Sequence, residues 1–307
     1  MSFALNVALL RKYVLTIVSW SLVLTLILAG GFLYANRPEL VVISASVDPE
    51  FPGDGFSHDA FEQLLKRYVD QAGNVDYQRW HDSRDDRDSL ESYLAAVARY
   101  SPASAAGRFA AKEDALAYWL YAYNAYVIHS ILQHWPIDSV TDVRAPVEAV
   151  RGLGFFYRQR FLFGGDALSL YTVEHDKILS EFRDPRVHFV LNCASKSCPV
   201  LKPELPTGAE LEQLLESSAY EFVNDTRNVY VDTEGQRVVL STIFKWYRKD
   251  FENELRRRGL SSERGVVDYL ALYAAPELVA ALGDTHDYAV VFEDYDWSLN
   301  RRTVSQN

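Results

Sequence analysis

VLTIVSWSLVLTLILAGGFLYA, residues 14–35, runs without a charged side chain. At about 1.5 Å per helical residue, such a run spans the hydrocarbon core of a bilayer, and no other part of the chain constrains its architecture so strongly. Arg11 and Lys12 precede the run and only Arg37 follows it, a bias that favours a cytoplasmic N-terminus. Tyr13, Trp20 and Tyr34 stand where interface anchors stand. A cleaved signal peptide has a shorter apolar region, about 7–15 residues, and an A-x-A-like site. Leu33-Tyr34-Ala35 matches that site poorly, so an uncleaved signal anchor is expected. The chain then divides into a short N-terminal segment (1–13), the anchor (14–35), a linker (36–56) rich in Pro and Gly, a domain (57–300) and a tail (301–307). The expected location is the inner membrane, crossed once, with the C-terminal domain outside the cytoplasm.

The whole chain carries a net charge of −11, and its few residues before Glu39 are net basic, so the body is more acidic still. Such a surface repels phosphates. With no basic stripe to offset it, nucleic-acid binding is excluded. Two cysteines, Cys193 and Cys198, are too few for a disulfide scaffold, although an exported domain permits one bridge.

Within the domain, Phe61, Leu64, Leu65, Tyr68 and Val69 recur at helical spacing after Ser57 and Asp59. VDYQRW (75–80) reads as a short extended piece, and a second helix carries Leu90, Tyr93, Leu94 and Val97. KEDALAYWLYAYNAYVIHSILQHW (112–135) is apolar nearly all round, the pattern of a helix buried in a domain centre. Asn124 lies inside its apolar stripe and needs a specific hydrogen-bond partner, either a loop or something that it positions. LSLYTVEHDKILSEF (168–182) is a helix that turns Glu174 and His175 toward its apolar side. VHFVLNC (187–193) reads as a strand buried on both faces. Its alternation would separate His188 from Cys193, leaving His188 a poor direct base. A helix over 207–223, a hairpin turning at Glu234-Gly235, a short helix or strand over 243–251, two short helices split at Pro276 and a last strand near 288–300 complete the pattern. Helices first and mixed elements afterwards indicate α+β: one domain with a buried central helix and a small mixed or antiparallel sheet.

The chemistry-bearing residues gather around Cys193. A thiol becomes a nucleophile when its pKa falls, and a Cys, an imidazole and an acid supply attacker, proton acceptor and orienting group. Cys193, His175 and Glu174 are the expected set, with Asn124, His188, Ser195 and Cys198 supporting the pocket. The backbone N–H groups of Ala194, Ser195, Lys196 and Ser197 offer an oxyanion nest. This set points to a papain- or transglutaminase-like variant of the α+β class. The competing readings are a Cys that merely fills core and a Cys193–Cys198 bridge. His175, His188, Cys193 and Cys198 are ligand types for zinc, but their spacing matches no common zinc pattern. The pair is not C-x-x-C, which argues against a thioredoxin-like role. GxGxxG, P-loop, GxSxG and HExxH motifs are absent, and no metal or cofactor is expected. Glu293-Asp294-Tyr295-Asp296 reads as a solvated turn rather than a calcium loop.

YWLYAYNAYVIHSIL, SLYTVEHDKIL, DPRVHFVLNCASKSCPVL and YDWSLN, in that order and with GNVDY near Asn74, resemble the domain of unknown function 547 family of bacteria and plants. The resemblance covers most of 57–300. It implies functional weight for Glu174 and His175, for His188 and Cys193, and for Asn124. Plant members often lack a sulfur at the position of Cys198, which shifts weight to Cys193. The expected function is a membrane-tethered cysteine-dependent amide hydrolase or acyl transferase acting on a peptide-like or cell-envelope substrate. The alternative is a non-catalytic envelope module that binds a partner through the same groove, with no protein partner specified.

Overall fold

The structure, a computed structural model, describes residues 2–261 and 263–302. The expected tail over 301–307 therefore falls largely outside it. An N-terminal helix, α1 (Ser2–Ala35), contains the apolar stretch Tyr13–Ala35, which is long and apolar enough to cross a membrane and is not buried against the rest of the chain.

The domain is α+β, as the pattern predicts. α2 (Asp59–Tyr68) packs on α3 (Tyr77–Asp82) and α4 (Arg84–Arg99), which in turn pack against the central α5 (Lys112–Gln133). Every side chain of α5 from Leu116 to Leu132 is buried, because apolar residues surround the helix on all sides. VDYQRW is mostly helical instead of extended. Asp76 accepts from the Arg79 N–H at 3.2 Å and caps α3, while Tyr77 and Trp80 bury one face. Only Val75 behaves as strand, bridging to Val69 and Arg301.

A three-stranded sheet places β1 (Glu39–Leu40) parallel to β2 (Gln159–Phe163), with β3 (Asp166–Leu168) antiparallel on the other side. Residues 36–56 thus run along the domain. Asn36 exchanges two hydrogen bonds with the backbone of Val147, and Arg108 donates to the Pro52 and Gly55 carbonyls. α6 spans residues 170–182 and is π-type through Val173–Leu179.

A second core forms around α7 (Glu210–Asn224), the sheet of β4 (Val229–Asp232), β5 (Arg237–Leu240) and β6 (Ala289–Phe292), and the helices α8 (Thr242–Trp246), α9 (Arg248–Arg257), α10 (Val266–Leu270) and α11 (Pro276–Gly283). β4 and β5 form the expected hairpin, and β6 joins β5 in parallel. Phe189, from the segment that carries the cysteines, belongs to this second core.

That segment is not a strand. Asp184 caps a 3-10 turn, Pro185–Phe189, by accepting from the Arg186 N–H, with Pro185 preset at its first position. The turn continues as the N–H groups of Val190 and Leu191 donate to the Val187 carbonyl. An apolar run without period fits a buried strand and a buried turn equally well, and here side chains satisfy the backbone in place of neighbouring strands.

Candidate functional site

Asn124 builds the site from below. Its amide donates to the Val190 carbonyl at 3.1 Å, and its Oδ1 accepts from the Asn192 N–H at 2.9 Å. Asn192 in turn donates to the Pro199 carbonyl (2.7 Å) and accepts from the Ala194 N–H (2.7 Å). Ala194 adopts a left-handed conformation, φ 64°, and the Cys198 N–H closes back onto the Ser195 carbonyl. Both ends of the loop are therefore held by one amide pair rooted in the central helix.

This folding brings the two sulfurs together. Cys193 Sγ and Cys198 Sγ lie 2.6 Å apart, and the Cys193 N–H donates to Cys198 Sγ at 3.1 Å. The Tyr295 hydroxyl sits 3.1 Å from each sulfur, and Ser195 Oγ sits 3.4 Å from Cys193 Sγ. Hydrogen bonding from Cys198, helped by Ser195 and Tyr295, outweighs burial and lowers the Cys193 thiol to about 7. Burial and the adjacent Cys193 push Cys198 the other way, well above the ordinary thiol range. The pair is thus split into one easily ionised sulfur and one that holds its proton.

The expected oxyanion nest is engaged elsewhere. The N–H groups of Ala194, Lys196 and Ser197 donate to Asn192, Ser298 and Asp296, and the Ser195 N–H turns to the Cys193 sulfur.

Both sulfurs open on a cleft of about 860 Å³ that Glu174, His175 and His188 also line. Its walls are aromatic, with Phe156, Tyr157, Trp246 and Trp297 among them. The three residues sit differently from one another. His175 stacks on Tyr171 at 3.9 Å, and its Nδ1 donates to the Tyr171 carbonyl at 3.1 Å, which leaves Nε2 as the basic nitrogen. Glu174 is buried and accepts from the hydroxyls of Tyr247 and Tyr123, so it makes no bond to its neighbour His175. His188 is buried, stacks on Tyr247 at 3.6 Å and bonds Asp250 Oδ2 through Nε2 at 3.0 Å. Its Nδ1 has no hydrogen-bond partner among the described residues. Neither imidazole hydrogen bonds either sulfur among the described residues. Without the strand, the alternation that was expected to turn His188 away from Cys193 does not apply.

Tyr295, Asp250, Tyr247 and Tyr123 complete the site and were not anticipated. Tyr295 lies in the acidic string read as a solvated turn, and its pairing with sulfurs about a hundred residues away leaves no local signal. Among the described residues, no three metal-binding side chains cluster.

No curated protein and no solved structure matches the chain. Residues 108–223 match the family described as "Protein of unknown function, DUF547". That stretch holds Asn124, Glu174, His175, His188 and both cysteines, and it ends before Asp250 and Tyr295. Through this central segment, the chain is similar to the DUF547 family.

Proposed function

We propose that the protein is a membrane-tethered envelope enzyme in which Cys193 performs acyl chemistry on an amide or thioester held in the aromatic cleft. The observation that carries this reading is the Cys193 thiol lowered to about 7 at the wall of a cleft that also holds a basic imidazole nitrogen. In the proposed reaction the thiolate adds to the carbonyl carbon and the negative charge moves to oxygen. The sulfur is then neutral, so the Tyr295 hydroxyl is released to donate to the oxyanion. Collapse breaks the bond to the leaving amine or thiol, which takes the proton that His175 Nε2 accepted, by way of solvent, when the Cys193 thiol ionised. Water or an acyl acceptor then cleaves the thioester. A peptide or cell-wall fragment suits both the aromatic lining and an exported location. The protein is tethered by Tyr13–Ala35, crosses the inner membrane once and carries its domain outside the cytoplasm.

Iodoacetamide labelling across pH tests this. Cys193 should label with a midpoint near 7, and Cys193→Ala should abolish fast labelling while circular dichroism stays unchanged. Labelling confined to Cys198, or an ordinary thiol midpoint of about 8.5, would remove the basis of the proposal.

The absence of an imidazole at the sulfur favours a second reading, in which the cleft binds an aromatic-rich peptide or partner and Glu174, His175 and Asn124 form a structural polar network. Two free thiols that resist alkylation in a folded, peptide-binding protein would select that reading.

A further inference from the structure

C-x4-C spacing argues against redox chemistry only if the two sulfurs stay apart, and the loop does not keep them apart. Cys193 Sγ and Cys198 Sγ stand 2.6 Å from each other, a sub-ångström displacement from a covalent S–S bond. The approach is built in. The Asn124–Asn192 amide pair holds the backbone before Cys193 and after Cys198, at Val190 and Pro199. The Cys198 N–H to Ser195 carbonyl bond closes the turn between them. The Cys193 N–H is already directed at Cys198 Sγ, and the Tyr295 hydroxyl touches both sulfurs. Joining the sulfurs breaks none of the bonds that hold the loop. Both sulfurs also face the same 860 Å³ cleft, so an incoming group reaches either one from one side.

We propose that Cys193 and Cys198 form a working dithiol that exchanges with a peptide-borne disulfide in the aromatic cleft, Cys193 attacking and Cys198 resolving. This activity goes beyond acyl transfer, since it requires Cys198, which the acyl reaction does not.

In the first step the Cys193 thiolate attacks one sulfur of the substrate disulfide. The Cys193–substrate S–S bond forms, the substrate S–S bond breaks, and one substrate thiolate leaves with the electron pair. The proton on Cys198 passes to that thiolate. Cys198, now a thiolate in contact with the mixed disulfide, attacks Cys193 Sγ and expels the second substrate thiolate, which takes a proton from solvent. The protein loses two electrons and two protons and becomes an intramolecular disulfide, and the substrate disulfide is reduced to two thiols. The substrate is the oxidant, and a dithiol peptide would run the cycle backwards. Assigning the attack to Cys193 agrees with the opposite ionisation tendencies of the two thiols. Aromatic walls give side chains that flank a peptide disulfide surfaces on which to stack.

The test uses the full chain in detergent, reduced and freed of reductant, with 5,5′-dithiobis(2-nitrobenzoate) as a small probe disulfide and a disulfide-closed peptide containing aromatic residues as the second arm. With the probe, the wild type should release two aryl thiolates per chain and end with no adduct, its intact mass lower by two hydrogens. Cys198→Ser should release one and retain the adduct on Cys193. Cys193→Ser should react at least tenfold more slowly. The peptide should be reduced by wild type and trapped as a mixed disulfide by Cys198→Ser. Wild-type protein that keeps stable adducts on either sulfur would overturn the exchange. So would a Cys198→Ser variant that clears its adduct as the wild type does. Fast iodoacetamide labelling of Cys193 together with a stable adduct there would leave acyl transfer standing and remove the exchange alone. A Cys193 inert to both reagents would remove both.

Discussion

Tyr295 shows how much one hydroxyl decides. It lies 3.1 Å from both sulfurs, and its ring packs against Trp246 and Trp297, so Phe in its place keeps the packing and deletes only the O–H. A thiolate that loses a donor is less favoured, and its pKa rises. The labelling midpoint of Cys193 in Tyr295→Phe should therefore move up from about 7 by about one pH unit, the value of one charge-assisted hydrogen bond. At neutral pH the thiolate fraction, and with it the alkylation rate, should fall several-fold. Rates measured across pH 5–9 would show this, and a superimposable profile would mean that the hydroxyl does not act on the sulfur.

At the scale of elements, the central helix acts on the cysteine loop through Asn124. Asn124→Ala removes the acceptor for the Asn192 N–H and the donor to the Val190 carbonyl. Leaving those buried groups unpaired should lower unfolding stability by about 1–3 kcal/mol, read by urea denaturation, and should blur the labelling midpoint of Cys193. No loss of stability would mean that water replaces both partners. The same region shows what a sequence displays and what it conceals. α2, α4, α5 and α7 were legible because apolar residues recur at the helical period or fill a helix all round. Residues 187–193 were not, since an apolar run without period fits a strand or a turn, and a helix residue 66 and 68 positions earlier in the chain than its two partners supplies the hydrogen bonds through one side chain. Cys193, His175, Glu174, His188 and Asn124 stood out by residue type and all reach the site. The bonds among them did not, because Glu174 pairs with Tyr247, 73 residues on, and His188 with Asp250, 62 residues on.

Across the whole molecule, the chain closes on itself near its C-terminal end. Val75 donates to the Asn300 carbonyl, the Arg302 N–H donates to the Val75 carbonyl, and the Tyr77 hydroxyl donates to Asn300 Oδ1 at 2.8 Å. Leu299 is buried, and the Asn300 N–H reaches the Ala194 carbonyl in the cysteine loop. Ending the chain after Ser298 exposes the contacts of Leu299 and leaves these groups unpaired. The loss should be about 3–5 kcal/mol, from one buried side chain and several hydrogen bonds, visible as a lower thermal midpoint. A truncated chain as stable as the full one would show that the seam is ornamental.

The other end is just as firmly fastened. β1 joins β2 within four residues of the end of α1, and Asn36 clasps Val147, so the domain has no slack where it leaves the helix. Were α1 to lie in a bilayer, as we propose, the short join would mount the domain on its post rather than float it on a leash, and the cleft would stay near the lipid.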